Sequence, residues 1–541
     1  MGFLTALWNG VKNVAGLILP VGNRAASARM SPGVRWALHL LVIALVLVGL
    51  YFLNSILGIP NLIPGSLRLL AYVWLPILFL LMYTLAWLGW WLWVLWSAEE
   101  AASYYPEIDS AWEEAMRTLA QANIRLTDLP LFLVLGRPEG PEDTTGEDKA
   151  CKAEELLFNQ AAQLNLVIRQ APQGPGTPIH VYASREAVFV TCAGASLLGR
   201  QAAVLSGDVE VEQGVSSSGG DSTDKTLSPN VATAPVKQLV GIVRNIAKKG
   251  GQATEDERRL MRRLERRDRQ QPSLMQDAAA VADLTGRLRH LCRLIARDRQ
   301  PYCPLNGVLW LIPFAATDSE QDAQNTAEVC ARDLQVLRSV LKVTCPQFAL
   351  VCDLEMASGF REFVQRQSQQ DRQRRVGQSF PMGTDLRGQP LADALSGSIH
   401  WLCGYVLREW VYRLFRVEGQ REEAPEVVAG NARLYMLLSE MRESDERLSR
   451  ILTKGIAAGA EGSLRFGGCY LAGTGAMQQA FVAGVFRKLL EAQNFVAWTE
   501  EARSEDTRQS RFAQLGYTLL GGVGILVLAV VAYSLFIARP S

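Results

Sequence analysis

Three long stretches of the chain are apolar and carry no Asp, Glu, Lys or Arg, at residues 36–56, 69–97 and 515–538. A helix needs roughly 20 apolar residues to cross about 30 Å of hydrocarbon, and each stretch exceeds that length. The turn between the first two is short and rich in Pro and Gly. We therefore predict a transmembrane helical hairpin over residues 35–97 and a third transmembrane helix over residues 515–538.

The charges beside these stretches predict the orientation of the chain. Four basic residues precede the first stretch, whereas the hairpin turn carries only Arg68. Since basic residues favour the cytoplasmic side, the N-terminus and the main domain are predicted to be cytoplasmic, and the C-terminus to lie on the outer side. The weakly amphipathic start of the chain, within residues 1–34, is predicted to form an interfacial helix followed by a cytoplasmic segment.

Between the second and third stretches, short runs rich in β-branched and aromatic residues alternate with helical stretches. These runs read LPLFLVLG, PIHVYAS, EAVFVTCAG, NGVLWLIPF, QFALVCDL and GGCYLAGTG. Such alternation predicts a mostly parallel sheet covered by helices, which we assign to residues 98–380. Only Arg185 and Glu186 separate PIHVYAS from AVFVTCAG, so these two runs are predicted to pair as an antiparallel hairpin. An insert at residues 205–240, rich in Ser, Gly, Thr and Asp, is predicted to be disordered.

The segment 381–514 has helical periodicity and is predicted to extend the α/β domain. Apolar residues recur at steps of three and four in two rows, one from Leu395 to Leu414 and one from Leu434 to Ile451. We interpret both rows as faces packed in the core, with a docking groove for a partner as the alternative. The Arg-rich stretch 255–271 predicts a solvated helix, while contact with anionic lipid or RNA stays open.

Composition argues against several kinds of site. The 541 residues contain 55 Lys and Arg against 54 Asp and Glu, so no nucleic-acid partner is implied. The nine cysteines include no C-x-x-C pair and the four histidines are far apart in sequence, which argues against a metal centre. We expect free buried thiols in a reducing compartment. A Cys–His pair brought together by folding stays open.

The run LPLFLVLG ends in a glycine turn of the kind that holds nucleotide phosphates. A working loop has the form G-x-x-x-x-G-K-[ST], in which backbone N–H groups and a lysine bind the phosphates and a hydroxyl binds magnesium. Residues 136–145 lack the lysine. They also contain two prolines, which have no N–H, and three acids, whose charge repels a phosphate by roughly 1–4 kcal/mol at about 4 Å. The chemistry predicts that this loop does not hydrolyse ATP or GTP.

The order of motifs along the chain resembles that of the IcmF/TssM family, the inner-membrane component of type VI secretion systems and of related Dot/Icm machines. The resemblance rests on the helical hairpin, IDSAWEEAM, LTDLPLFLVLG, EAVFVTCAG, CPLNGVLWLI, FALVCDLEMASGFREF and CYLAGTGAMQQAFVAGVFRKLL, followed by a further apolar stretch. It implies a membrane-anchored P-loop GTPase-like α/β domain in the bacterial inner membrane, with the C-terminus in the periplasm.

The resemblance also implies partners. These are a DotU/TssL-like inner-membrane protein, baseplate components and the lipid bilayer, within an oligomeric membrane complex. Members of the family usually continue beyond the third span into a large periplasmic domain, whereas this chain stops there. The resemblance therefore gives no support for contacts with periplasmic or outer-membrane partners.

Three nucleotide elements of the family can be placed on this sequence. The phosphate loop falls on residues 136–145, the DTAG motif on 191–194 and the base-reading TKCD motif on 350–353. The family residues that remain and bear on a nucleotide are Gly136, Thr144, Thr145, Gly194, Cys352 and Asp353. The loop lysine is lost, and Thr191 replaces the acid that would sense magnesium.

These losses and the resemblance together predict an inner-membrane scaffold of a type VI secretion-like machine. Its pseudo-GTPase domain is expected to have no catalytic residue, no cofactor and no metal, because one surviving acid cannot replace the lost phosphate clamps. The alternative is a membrane-tethered regulator that binds or hydrolyses NTP through a non-standard phosphate loop. Nucleotide-dependent thermal stabilisation separates the two hypotheses.

Overall fold

The structure of the protein is a computed structural model. It describes residues 32–56, 104–141, 146–160, 165–208, 273–382, 389–418, 425–457, 465–475 and 478–508, together with a few isolated positions. The chain divides into two compact units, Met1–Tyr104 with Glu500–Ser541, and Tyr105–Thr499. The described residues of the first unit include helix α1, Pro32–Ile56.

The prediction of three transmembrane helices is wrong for the part of the chain that the structure describes, where no helix is both long and apolar enough to cross a membrane. Other predictions fall mostly or wholly outside the described residues, at 1–31, 69–97, 209–272 and 515–538. The fold class that the structure supports is α/β.

An eight-stranded sheet and a two-stranded ribbon organise the unit Tyr105–Thr499. The strands are β1 (Leu131–Gly136), β2 (Ile168–Ala171), β3 (His180–Ala183), β4 (Val188–Thr191), β5 (Gly307–Pro313), β6 (Val343–Thr344), β7 (Pro346–Cys352), β8 (Val376–Ser379), β9 (Arg465–Leu471) and β10 (Ala497–Trp498). The order across the large sheet is β2-β3-β4-β1-β5-β7-β9-β8, and β6 pairs with β10.

The central pairs of the large sheet are parallel, namely β4 with β1, β1 with β5, β5 with β7, and β7 with β9. Antiparallel pairs lie towards the two edges, where β2 pairs with β3, β3 with β4, and β8 with β9. A parallel sheet covered by helices is buried on both faces, and every residue of β1, β5 and β7 is buried. The predicted mostly parallel sheet and the predicted hairpin of β3 and β4 are confirmed.

Helices cover this sheet. In chain order they are α2 (Pro106–Gln121), α3 (Gly146–Gln160), α4 (Leu197–Leu205), α5 (Ala278–Asp298), α6 (Glu320–Leu341), α7 (Phe360–Gln365), α8 (Gln369–Arg372), α9 (Gln389–Trp401), α10 (Leu407–Glu418), α11 (Pro425–Arg450) and α12 (Ala483–Glu491). Helix α6 packs against α4, α5 and α11. From α6, buried Asp333 accepts hydrogen bonds from the backbone N–H groups of Leu197 and Leu198 at 3.2 and 2.9 Å. It therefore caps the start of α4 from a distant part of the chain.

The helical segment 381–514 contains two π-helical segments. Leu402–Val406 joins α9 to α10, and Ile451–Ala457 follows α11. The buried members of the two predicted rows are Leu395, Ile399, Leu402, Leu434, Met441, Leu448 and Ile451. The interpretation of these rows as faces packed in the core is confirmed at these positions.

Candidate functional site

The carboxyl ends of β1, β4 and β7 lie at one edge of the sheet because these strands are parallel, and the three predicted nucleotide elements follow them. Strand β1 ends at Gly136, whose φ of +83° is a left-handed conformation that favours glycine. A Cβ atom at this position would lie 2.3 Å from the carbonyl oxygen of Leu311. The backbone of this turn therefore requires glycine whether or not a nucleotide binds.

Beside this turn, two basic side chains bind a carboxylate of the same chain. Arg137 Nη2 forms an ion pair with Asp208 Oδ2 and donates to Ser206 Oγ at 3.1 Å. Lys149 Nζ lies 3.0 Å from Asp208 Oδ1 and 3.8 Å from Glu139 Oε1. The Arg137 side chain is 7% exposed, and those of Lys149 and Asp208 are each 9% exposed. The cations beside the degenerate loop are thus already neutralised within the protein.

A phosphate at this place would compete with Asp208. The Asp208 carboxylate has the same sign of charge as a phosphate and holds both Arg137 and Lys149. Breaking a buried ion pair leaves an uncompensated charge, which costs roughly 3–5 kcal/mol. Glu139 adds like-charge repulsion from the loop itself. The arrangement therefore disfavours phosphate binding.

A second buried polar cluster joins α3 to β3 and β4. Glu154 Oε2 accepts hydrogen bonds from His180 Nδ1 at 2.9 Å and from Thr191 Oγ1 at 2.8 Å. The other ring nitrogen of His180 lies 2.7 Å from Thr177 Oγ1 and 3.3 Å from the Gly174 carbonyl oxygen. Burial lowers the pKa of His180, but the hydrogen bond and charge of Glu154, with the Gly174 carbonyl, raise that pKa above its ordinary value. The cluster therefore favours an internal ion pair that ties the loop before β3 to α3.

The DTAG-like element at the end of β4 has lost its acid. Thr191 is 1% exposed, and its hydroxyl donates to Glu154. Magnesium prefers carboxylate ligands, and a neutral hydroxyl that already donates to Glu154 does not replace one. The Gly194 N–H donates to the Pro178 carbonyl oxygen at 3.1 Å, and a Cβ atom at Gly194 would lie 2.7 Å from the Pro178 Cα. Gly194 therefore allows the loop before β3 to pack closely against the end of β4.

A cavity of about 590 Å³ lies between α3, α4, α5 and the loop before β3. Its volume falls in the range of ligand pockets, which is about 300 to 1,000 Å³. Among the lining residues, Arg287 is paired with Glu107 at 3.3 Å and with Asp283 at 2.8 Å. For Arg200, which also lines the cavity, the described residues provide no carboxylate partner. Most of the charge around the cavity is therefore compensated internally.

Metal and thiol chemistry find little support here. Within the described ranges, no group of three or more His, Cys, Asp or Glu side chains is placed to hold a metal ion. The cysteines are free. Cys151 lines the cavity and accepts a hydrogen bond from Gln170 Nε2 at 3.0 Å, and burial raises the pKa of its thiol. Because the thiolate is the reactive form, a raised pKa makes Cys151 a poor nucleophile at neutral pH.

The third nucleotide element, after β7, is buried. Asp353 has a left-handed backbone with φ +64° and is 1% exposed, and its Oδ1 accepts from Thr474 Oγ1 at 2.7 Å. Its Oδ2 has no hydrogen-bond partner among the described residues. Burial and then the charge of Glu139 raise the pKa of Asp353, while burial and the charge of Asp353 raise the pKa of Glu355. A covered acid that resists ionisation is poorly placed to accept hydrogen bonds from a guanine.

Residues 282–515 match the family model of the IcmF-related N-terminal domain. This match covers less than half of the chain and supports its membership of the IcmF/TssM family. Comparison with curated proteins and with solved structures found no match. The IcmF family comprises secretion-system proteins that are generally associated with the inner membrane. The matched segment begins within α5, so it includes Asp353, whereas the turn after β1 and Asp208 precede it.

In this IcmF-related protein, the retained family residues do not form one phosphate site among the residues described. Gly136 and Gly194 are required by the backbone, because a Cβ atom at either position would clash with neighbouring main-chain atoms. Thr144 donates its hydroxyl to the Pro141 carbonyl oxygen at 3.0 Å, within its own turn. Asp353 is held by Thr474. Thr145 lies outside the described residues.

Sequence reasoning missed three side chains that define this region, which are Glu154, Arg200 and Asp208, and considered His180 only as a possible partner of a cysteine. Asp208 is 71 residues from Arg137 and 59 from Lys149, so no local motif joins them. The available signal was indirect. Basic residues next to a fully apolar strand become buried, and a buried cation needs an acid.

Proposed function

We propose that this IcmF-related protein is a scaffold of a type VI secretion-like machine and does not hydrolyse nucleotide. The observation that carries the proposal is the Asp208 carboxylate, which binds Arg137 and Lys149 where a phosphate would need free cations. The missing loop lysine and the buried Asp353 support it from the other nucleotide elements. The α/β fold then acts through its shape and surface.

The proposed partners follow from the family. Membership supports a secretion-system complex associated with the inner membrane. Within such a complex we propose contacts with a DotU/TssL-like inner-membrane protein and with baseplate components, in an oligomeric assembly. These identities rest on the resemblance of the sequence to the IcmF/TssM family.

Thermal unfolding of the purified chain with magnesium and GTP or ATP tests the absence of nucleotide binding. We expect the same melting temperature with and without nucleotide, because Asp208 already binds Arg137 and Lys149 beside the loop. A ligand at 100 times its Kd stabilises a protein by about 2.7 kcal/mol, so binding would be visible. A nucleotide-dependent rise in melting temperature together with phosphate release would instead support the NTP-dependent regulator.

Affinity purification of the tagged chain from native membranes, after mild cross-linking, tests the partners. We expect a DotU-like protein or a baseplate component among the recovered proteins. Recovery of neither, with the chain itself intact and folded, would count against the scaffold role. Because this measurement involves no nucleotide, its outcome is independent of the melting experiment.

A further inference from the structure

Helices α9 and α10, with the π segment between them, expose one row of large side chains. Trp401, Tyr405, Arg408 and Tyr412 follow one another at steps of four, three and four residues, and all four are exposed. Trp401 is 47% exposed, Tyr405 53% and Tyr412 41%. The guanidinium carbon of Arg408 lies 5.9 Å from the centre of the Tyr405 ring, a cation–π contact within the row. We call these four residues the aromatic row.

The opposite face of the same helices is packed in the core. Its buried residues are Leu402, Cys403, Leu407 and Val411. A helix that is apolar on all sides is normally buried on all sides, whereas a surface helix normally has a polar outer face. Here the outer face carries three large aromatic side chains that stay about half exposed in the described part of the chain. The aromatic row therefore has the character of a surface that another molecule covers.

The composition of the row matches the centres of protein interfaces. Trp, Tyr and Arg are enriched there and dominate binding energy, while Lys, Glu and Asp are depleted. The row contains these enriched types and no acid. The π segment Leu402–Val406 lies within the row, and π turns inside helices are frequent at functional sites.

The charge of the row indicates the chemistry of the partner. Arg408 and the neighbouring Arg413 are exposed, and the described residues provide no carboxylate partner for either. Elsewhere on this helical layer the chain pairs its own arginines, since Arg433 binds Glu362 and Arg450 binds Glu320. A cation covered by an interface needs an opposite charge, because an unpaired buried charge is costly. The missing acids must come from outside this surface.

We propose that the aromatic row docks an acidic amphipathic helix of a partner protein. Apolar side chains of that helix pack on the three aromatic rings, and its carboxylates bind Arg408 and Arg413. This is the helix-on-helix mode of recognition, in which anchors recur at steps of three and four residues. The inference deepens the scaffold role proposed above by naming the chemistry of one partner and the surface that holds it.

Binding of synthetic helices to the purified full chain tests the surface directly. The probe is a fluorescent peptide of about 18 residues with leucines at steps of three and four and glutamates beside them, and the control peptide has lysines in place of the glutamates. We expect the glutamate peptide to bind at least about tenfold more tightly than the lysine peptide, and Arg408→Glu to reverse that order. Tyr405→Ala should lower the affinity for the glutamate peptide by about tenfold or more.

Tyr302→Ala is the matched control, because Tyr302 is an equally exposed tyrosine, at 59%, outside the helical layer. It should leave binding unchanged. Equal affinity for the two peptides, no binding of either, or an equal loss in Tyr302→Ala overturns the proposal. These readouts do not require a secretion-system partner, so they can fail or succeed independently of the proposed function.

A photo-crosslinking amino acid at position 405, introduced in cells, identifies the occupant. A cross-link to an Asp- and Glu-rich segment of another protein, lost when Arg408→Glu is added, supports the proposal. A cross-link to a second copy of this chain, to a segment of the same chain or to lipid overturns it, as does a yield no higher than with the same amino acid at position 302.

Discussion

Two regions of this protein use arginine in opposite ways. At the turn after β1, Arg137 is almost fully covered and bound to Asp208. In the aromatic row, Arg408 is exposed and stacks on Tyr405. The first arginine is satisfied within the chain and contributes to the stability of the fold, whereas the second leaves its charge for another molecule. On the proposals made above, the capacity to bind lies on this helix surface and not in the phosphate loop.

The largest effect is expected where the charges are buried. Asp208→Ala should lower the free energy of unfolding by roughly 3–5 kcal/mol, because Arg137 and Lys149 lose their main carboxylate. Urea denaturation at neutral pH measures the change. Asp371→Ala is the matched control, since Asp371 pairs with Arg374 at 3.1 Å in a largely exposed position and should cost less than about 1 kcal/mol.

Inorganic phosphate sharpens the same experiment. In the Asp208→Ala variant, phosphate should restore part of the lost stability by binding the freed cations, while the wild type should not respond. A wild-type response equal to that of the variant would contradict the view that Asp208 occupies the anion position. An Asp208→Ala loss no larger than that of Asp371→Ala would contradict the buried pairing itself.

A smaller effect tests whether the glycine of the loop is kept for its backbone. Gly136→Ala should lower the free energy of unfolding by roughly 1–3 kcal/mol, because the position is left-handed and a Cβ would meet the Leu311 carbonyl. Gly397→Ala in α9, where an added Cβ meets nothing within 4 Å, should instead stabilise by about 0.5–1 kcal/mol. Equilibrium denaturation measures the free energy of unfolding of both variants. If Gly136→Ala left that free energy unchanged, the backbone role of Gly136 would be contradicted.

The pH dependence of stability probes the acids near the loop. The pKa values of Asp353 and Glu355 are raised in the folded protein, chiefly by burial, so the folded state holds these protons more tightly than the unfolded state. Their contribution is full below the unfolded pKa of about 4 and is lost as pH rises through the folded pKa values. Stability should therefore fall between about pH 5 and pH 8.

Asp353→Asn isolates one of these acids. Asparagine tolerates the left-handed backbone and keeps an oxygen for the Thr474 hydroxyl. Between these pH values the variant should lose less stability than the wild type. The difference should be about 1.4 kcal/mol for each unit by which folding raises the pKa of Asp353. The pKa of His180 is also raised, so His180 makes stability fall with pH in the wild type and in the variant alike. Urea denaturation of both proteins at about pH 5 and about pH 8 therefore isolates the contribution of Asp353. An unchanged slope would contradict the burial argument.

The smallest effect on stability is expected in the aromatic row. Tyr405→Ala and Arg408→Glu should change the free energy of unfolding by less than about 0.5 kcal/mol, because both side chains are exposed. The same substitutions should weaken binding of the glutamate peptide, by about tenfold or more for Tyr405→Ala. A destabilisation above about 1 kcal/mol would show instead that the row supports the fold.

Part of the fold could be predicted from local patterns. The apolar run of β1 predicted a buried strand, and the two-residue separation predicted the hairpin of β3 and β4. The missing lysine and the acids of the loop could also be read directly, because they occupy fixed positions in a short motif. Transmembrane helices were predicted from apolar runs alone, and the residues that the structure describes do not bear that prediction out.

Partners far apart in sequence could not be predicted. The pairing of Asp208 with Lys149 and Arg137 depends on where α4 ends relative to the turn after β1, and periodicity carries no such information. The helical row was interpreted as core from Leu395 and Leu402, which are buried. Trp401 and Tyr405 in the same segment are exposed, because the periodic row predicts which residues face the core but not what covers the opposite side.

The π segment Leu402–Val406 has a geometrical consequence for this surface. A π turn contains about one residue more than an α turn, so the segment holds one residue in excess of a regular α-helix. Deleting a single residue there should restore α-helical winding and leave the orientation of α10 relative to α9 unchanged. Trp401 and Arg408 would then keep their relative orientation across a chain that is one residue shorter.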